Sequence, residues 1–108
     1  MHTALPISEA VVKLQQKARA FNLDLHLIQM RDTGVTSAAS LYCPEEPLRI
    51  ILTIDAMGYY TLLVYIPNDT PADGMLNDTD LHLHLHQPPH AFNYGLDAVF
   101  AYLISEPS

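Results

Sequence analysis

The middle of the chain alternates between apolar and other side chains with a period of two, which is the spacing of a β-strand with one buried face. Segments with this spacing or with strand-forming composition cover residues 23–30, 35–43, 48–54, 59–66 and 79–86. Most of the breaks between them are only a few residues long. Parallel strands need a crossover of a dozen or more residues, whereas antiparallel strands can be joined by short turns. The sequence therefore predicts an antiparallel sheet of about five strands.

Helical spacing flanks this region at both ends of the chain. Apolar residues recur at intervals of three and four along residues 8–21, and a second amphipathic segment follows the prolines at 88 and 89. We expect Ser8 and Asn93 to cap the two helices and Asn22 to end the first in the left-handed conformation. The order α-β-β-β-β-β-α predicts a two-layer α+β sandwich with both helices on one face of the sheet. At 108 residues the chain is expected to be a single domain, 1–108.

Composition excludes some classes of protein and of partner. Apolar residues make up 49% of the chain and charged residues 16%, which is unlike an intrinsically disordered protein. The formal net charge of −7 argues against a nucleic acid or an anionic membrane surface as the partner, since both attract clustered Lys and Arg. A single cysteine, Cys43, and the absence of a signal-like N-terminus or a long apolar segment predict a cytoplasmic protein.

The segment 78–86 carries the most distinctive pattern in the chain. Leucines at 81, 83 and 85 are predicted to point to one side of a strand, and the residues predicted to point to the other side are Asp78, Asp80, His82, His84 and His86. Alternate strand residues lie about 6.6–6.8 Å apart, so two neighbouring imidazoles can share one metal ion. The third ligand of such a zinc site would be His26 or His90. The alternative interpretation is a row of solvated histidines without metal.

Other candidate sites are weaker. Residues 69–80 partly fit a calcium-binding loop, but Pro71 replaces a ligand and Asp80 replaces the usual bidentate Glu, so a solvated acidic loop is the preferred interpretation. We interpret Cys43, which ends an apolar strand, as a small buried side chain. The chain has no Gly-rich phosphate loop and no Gly-x-Ser-x-Gly motif. These observations favour a non-enzymatic role.

The outward side of the predicted sheet indicates a protein interface. It combines apolar and tyrosine side chains with few charges, which is the composition of a contact surface. The residues predicted to bind a partner are Tyr59, Leu63, Tyr65, Ile51, Asp78 and Asp80. In size, charge and layout the chain resembles small acidic secretion chaperones, immunity proteins and phage-borne inhibitors. The leading hypothesis is a protein-binding module with a basic partner that forms a homodimer through the sheet or its edge. The alternative is a metal-binding protein or metal-dependent enzyme.

The charge inventory predicts reduced solubility between about pH 5 and 6, where ordinary histidines become protonated. Protonation of all six histidines would take the formal charge from −7 to −1, and a protein with little net charge associates with itself more readily. Solubility measured as a function of pH tests this expectation. A solubility that stays constant from pH 7.5 to pH 5 would contradict it.

Overall fold

The computed structural model describes residues 6–44, 46–67 and 77–105. They form a five-stranded antiparallel sheet with strand order β1-β2-β3-β4-β5 and one helix at each end of the chain. The predicted α+β sandwich with the order α-β-β-β-β-β-α is confirmed. The elements are α1 (Ile7–Ala20), β1 (His26–Asp32), β2 (Ser37–Cys43), β3 (Leu48–Ile54), β4 (Tyr60–Tyr65), β5 (Leu81–Gln87) and α2 (Phe92–Ser105), with short 3-10 turns at Asp78–Asp80 and Pro89–Ala91.

The hydrophobic core lies between the sheet and the two helices. Side chains of successive strand residues point to opposite faces, so every second residue of the central strands is buried. In β3 the buried positions are Leu48, Ile50, Leu52 and Ile54. Helix α1 supplies Leu14 and α2 supplies Phe100 from above, both fully buried. The phase of the alternation in β3 and β4 is the one that the sequence predicts.

The helix starts differ from the prediction. The carbonyl of Pro6 accepts the first helical hydrogen bond, from Ala10 N at 3.0 Å, so α1 begins at Ile7 and Ser8 lies inside its first turn. Helix α2 begins at Phe92, after the 3-10 turn Pro89–Ala91, which places Asn93 inside the helix. Neither predicted cap is therefore present. The left-handed conformation expected at Asn22 is confirmed, with φ of 65°.

Both outer strands begin later than their apolar patterns predict. Leu25 is buried but precedes β1, and its carbonyl accepts a hydrogen bond from Gln15 Nε2 at 3.1 Å, which ties the connection to α1. Strand β5 begins at Leu81 because Asp78–Asp80 form a 3-10 turn. Residues 69–76, which make up most of the calcium-like loop 69–80, lie outside the described residues. Within the described ranges both helices have 14 residues, too few to cross a bilayer.

A tyrosine on β4 fits against a glycine on α2. The Tyr60 hydroxyl donates a hydrogen bond to the carbonyl of Ala91 at 2.6 Å, and its ring meets Phe92 edge-on with centroids 4.9 Å apart. Burial raises the pKa of this hydroxyl above its ordinary value of 10.0, so the donor keeps its proton near neutral pH. A Cβ on Gly95 would overlap the Tyr60 hydroxyl oxygen and lie 2.8 Å from Cζ. Gly95 therefore lets the helix approach the sheet at this point.

Replacing Gly95 with Ala should destabilise the protein by about 1–3 kcal/mol, the usual effect of overfilling a packed core. The sign of the change in the free energy of unfolding distinguishes the effect of this contact from that of helix propensity. Gly→Ala at an open helical position stabilises by about 0.5–1 kcal/mol. Urea unfolding of the variant measures the difference. Tyr60→Phe in the Gly95→Ala background should recover part of the loss, since the overlapping oxygen is gone. A Gly95→Ala variant that is more stable than the wild type would contradict the contact.

Candidate partner-binding face and histidine edge

The face of the sheet opposite the helices is the candidate site, and we call it the open face. Its positions alternate with the core positions of the same strands, and within the described part of the chain no helix packs on it. Cross-strand register places its side chains in rows, because residues directly opposite in an antiparallel pair point to the same face. Its members on β2–β5 are Ala38, Ser40, Tyr42, Arg49, Ile51, Thr53, Thr61, Leu63, Tyr65, Leu81, His84 and His86.

An apolar pair occupies the centre of the open face. Ile51 lies directly opposite Leu63, and both side chains are only half-buried. The same row continues to Ser40 on one side and to His84 on the other. Two large aliphatic side chains are thus surrounded by polar neighbours and lack the cover that the helices give to the core face. The sequence predicted the outward direction of both residues, and the structure brings them into contact range across β3 and β4.

One end of the open face carries tyrosines and an arginine. Tyr42, Arg49 and Tyr65 form a cross-strand row, and Tyr65 is buried to 9% exposure by its neighbours. The Arg49 Nε donates a hydrogen bond to Ser40 Oγ at 2.8 Å, which holds the guanidinium against the sheet. The ring of His26 packs beside Tyr42 with centroids 5.5 Å apart. Tyr42 and Arg49 were not among the residues predicted to bind a partner, although the alternation along β2 and β3 gives their direction.

The other end of the open face carries Tyr59 and two threonines. Tyr59 is 36% exposed, and its ring stacks on His86 with centroids 5.6 Å apart. His86 lies opposite Thr61, and its Nδ1 is 3.0 Å from Thr61 Oγ1. Thr53 completes the row on β3. This end therefore combines an exposed aromatic ring with an imidazole whose orientation is set by two contacts.

The two acids predicted to bind a partner lie in the 3-10 turn before β5. Asp78 is exposed there, but Asp80 is only 6% exposed. The outward direction predicted for Asp80 assumed that the strand begins at residue 79, and the turn invalidates that assumption. The carbonyl of Asp80 accepts a hydrogen bond from Ile66 N at 2.9 Å, which joins the turn to the end of β4. Asp80 thus does not offer its carboxylate at the surface.

The three histidines of β5 do not form one continuous row. A register shift places Tyr65 opposite Leu81 and Val64 opposite Leu83, so His82 is the extra residue of a β-bulge. Its Nδ1 lies 3.2 Å from the hydroxyl of Tyr102 on α2, which belongs to the helix layer. His84 and His86 keep the predicted direction on the open face.

His26 and His90, the two candidates for a third metal ligand, lie at different places relative to His84 and His86. His26 lies on β1, at the opposite edge of the sheet and four strand spacings from β5, which is about 19 Å. His90 is exposed in the turn Pro89–Ala91. Among the described residues no group of three His, Cys, Asp or Glu side chains could hold a metal ion. Cys43 is buried in the core, as its position at the end of an apolar strand predicts.

Comparison of the chain with protein-family models, with curated protein sequences and with solved structures found no match. The functional assignment therefore depends on the geometry of the open face and of the β5 edge.

Proposed function

We propose that this chain is a non-catalytic protein-binding module and that the open face of its sheet contacts the partner. The observation that carries the proposal is the apolar pair Ile51 and Leu63, which lies at the centre of a sheet face that no described helix covers. Protein interfaces combine an apolar centre with a polar rim and are enriched in Tyr and Arg. Tyr42 and Arg49 beside this pair fit that composition.

The charge distribution supports a basic partner that is attracted over a distance. The formal net charge is −7, yet the open-face positions of β2–β5 contain no carboxylate. Exposed acids lie elsewhere, for example at Asp24 before β1 and Asp97 on α2. Such a charge accelerates encounter with a basic protein, while the contact itself remains apolar at its centre. A cytoplasmic location, where thiols stay reduced, is part of the proposal.

Replacing Ile51 with Lys should weaken partner binding by about 30-fold or more, since truncation of a hot-spot residue at the centre of an interface costs about 2 kcal/mol or more. A lysine in a desolvated apolar contact leaves an unpaired charge. Leu63→Lys should have a similar effect. Proteins retained from a host lysate by the immobilised wild type are identified, purified and titrated against each variant in buffer with a chelator.

The matched control is Ile104→Lys, which makes the same change at a side chain that is 61% exposed on α2. This variant should bind like the wild type, and circular dichroism should show that all three variants are folded. Partners that bind Ile51→Lys and the wild type equally well would overturn the assignment of the open face. Association that does not slow as ionic strength rises would contradict the basic partner.

A further inference from the structure

The two edges of the sheet differ in how well they are protected against pairing with another strand. Strand β1 has a β-bulge between Leu27 and Gln29, near its middle, and ends in the charged residues Arg31 and Asp32. Bulges and charges of this kind prevent edge-to-edge association. Strand β5 has its bulge at His82, so residues 83–87 remain regular and carry no Lys, Arg, Asp or Glu. The β5 edge is therefore the one that can accept a further strand.

We propose that two copies of this chain pair through antiparallel β5 strands and bind one zinc ion between them with the imidazoles of His84 and His86. A two-fold axis through Leu85 uses all five regular residues of the edge. It places Leu85 opposite its own copy and His84 opposite His86 of the partner subunit. Residues that lie directly opposite each other in an antiparallel pair point to the same face of the sheet. Both histidines therefore remain on the open face, and their copies lie beside them.

The dimensions of such a pair suit a zinc ion. Along one strand His84 and His86 lie about 6.6–6.8 Å apart between Cα atoms, and residues directly opposite across an antiparallel pair lie about 4.5–5.5 Å apart. Four imidazoles thus surround a small rectangle, and zinc takes three or four nitrogen ligands in tetrahedral arrangement. Among the described residues one chain supplies only two ligands at this place, because His82 contacts Tyr102, His26 lies on the far edge and no group of three His, Cys, Asp or Glu side chains is present. The second copy completes the site.

The contacts of His86 already resemble those of a metal ligand. Its Nδ1 lies 3.0 Å from Thr61 Oγ1, and its ring stacks on Tyr59, which leaves Nε2 as the nitrogen available for an ion. Histidines that bind metals usually have the other ring nitrogen hydrogen-bonded in this way, which fixes the ring and the tautomer. The Leu63 side chain opposite His84 adds an apolar boundary on the other side. The site needs no residue outside the described ranges.

Sedimentation equilibrium of metal-free protein with and without added zinc chloride tests the proposal. We expect zinc to convert monomer into dimer with one ion per two chains, and a chelator to reverse the change. His84→Gln and His86→Gln should each abolish this conversion, whereas His26→Gln, at an exposed histidine on the other edge, should not affect it. Thr61→Val should weaken zinc binding about 10–100-fold without removing a ligand. Circular dichroism of each metal-free variant checks its fold.

A cysteine at position 85 tests the register. In the proposed dimer the two Leu85→Cys side chains lie opposite each other at a Cα separation that a disulfide can span. Zinc should therefore promote an oxidised, covalently linked dimer of this variant, and the His86→Gln change added to it should remove that effect. One zinc ion per monomer, or dimerisation that persists in His84→Gln, would overturn the proposal. So would a zinc-dependent dimer that fails to cross-link at position 85.

This inference does not depend on the proposed partner-binding role. Partner binding is measured with a chelator present and is disrupted by Ile51→Lys, on a strand that does not touch β5. Zinc-dependent dimerisation is disrupted by the histidine variants and should survive in Ile51→Lys. Failure of one experiment therefore leaves the other interpretable.

Discussion

Packing of both helices on the same face of the sheet is the constraint on which the rest of this structure depends. Every second side chain of the central strands is buried beneath α1 and α2, and the alternate side chains are left on a face without helical cover. The contact between Tyr60 and Gly95 shows how close the helix layer approaches. Burial of one side of the strands in the core stabilises the domain, and it also determines which side chains are left on the open face.

The open face and the β5 edge meet at His84 and His86. Both residues lie on the β5 edge, and each also belongs to a cross-strand row of the open face. His84 lies opposite Leu63, and His86 lies opposite Thr61. On our proposals, pairing of two β5 edges would continue the open face across the dimer and present two copies of Ile51 on one surface. Zinc would then lie on the open face between the two copies of the apolar pair and would set their spacing.

Sequence patterns predicted the layers, the strand order in the chain and the outward direction of Leu63, because binary patterning directly reflects burial. Residues 48–54 were predicted with the observed bounds. The bulge at His82 was not foreseen, since period-two alternation continues through residues 81–86 and a bulge depends on how the strand pairs with β4. The close fit of Gly95 against Tyr60 was also missed, because it joins positions 35 residues apart in the chain, on different elements. The buried position of Asp80 follows from the 3-10 turn, for which composition gives no signal.

On our proposal, Ile51 and Leu63 form an uncovered apolar surface in the free protein. Methyl NMR with a soluble paramagnetic probe measures this accessibility directly, in dilute protein with a chelator present. We expect strong relaxation enhancement at the Ile51 and Leu63 methyls and little at Ile50 and Leu62, which are fully buried on the opposite face. Adding the partner should then protect the first pair selectively. Equal protection of all four residues in the free, dilute protein would show that Ile51 and Leu63 are covered and would contradict the proposed binding face.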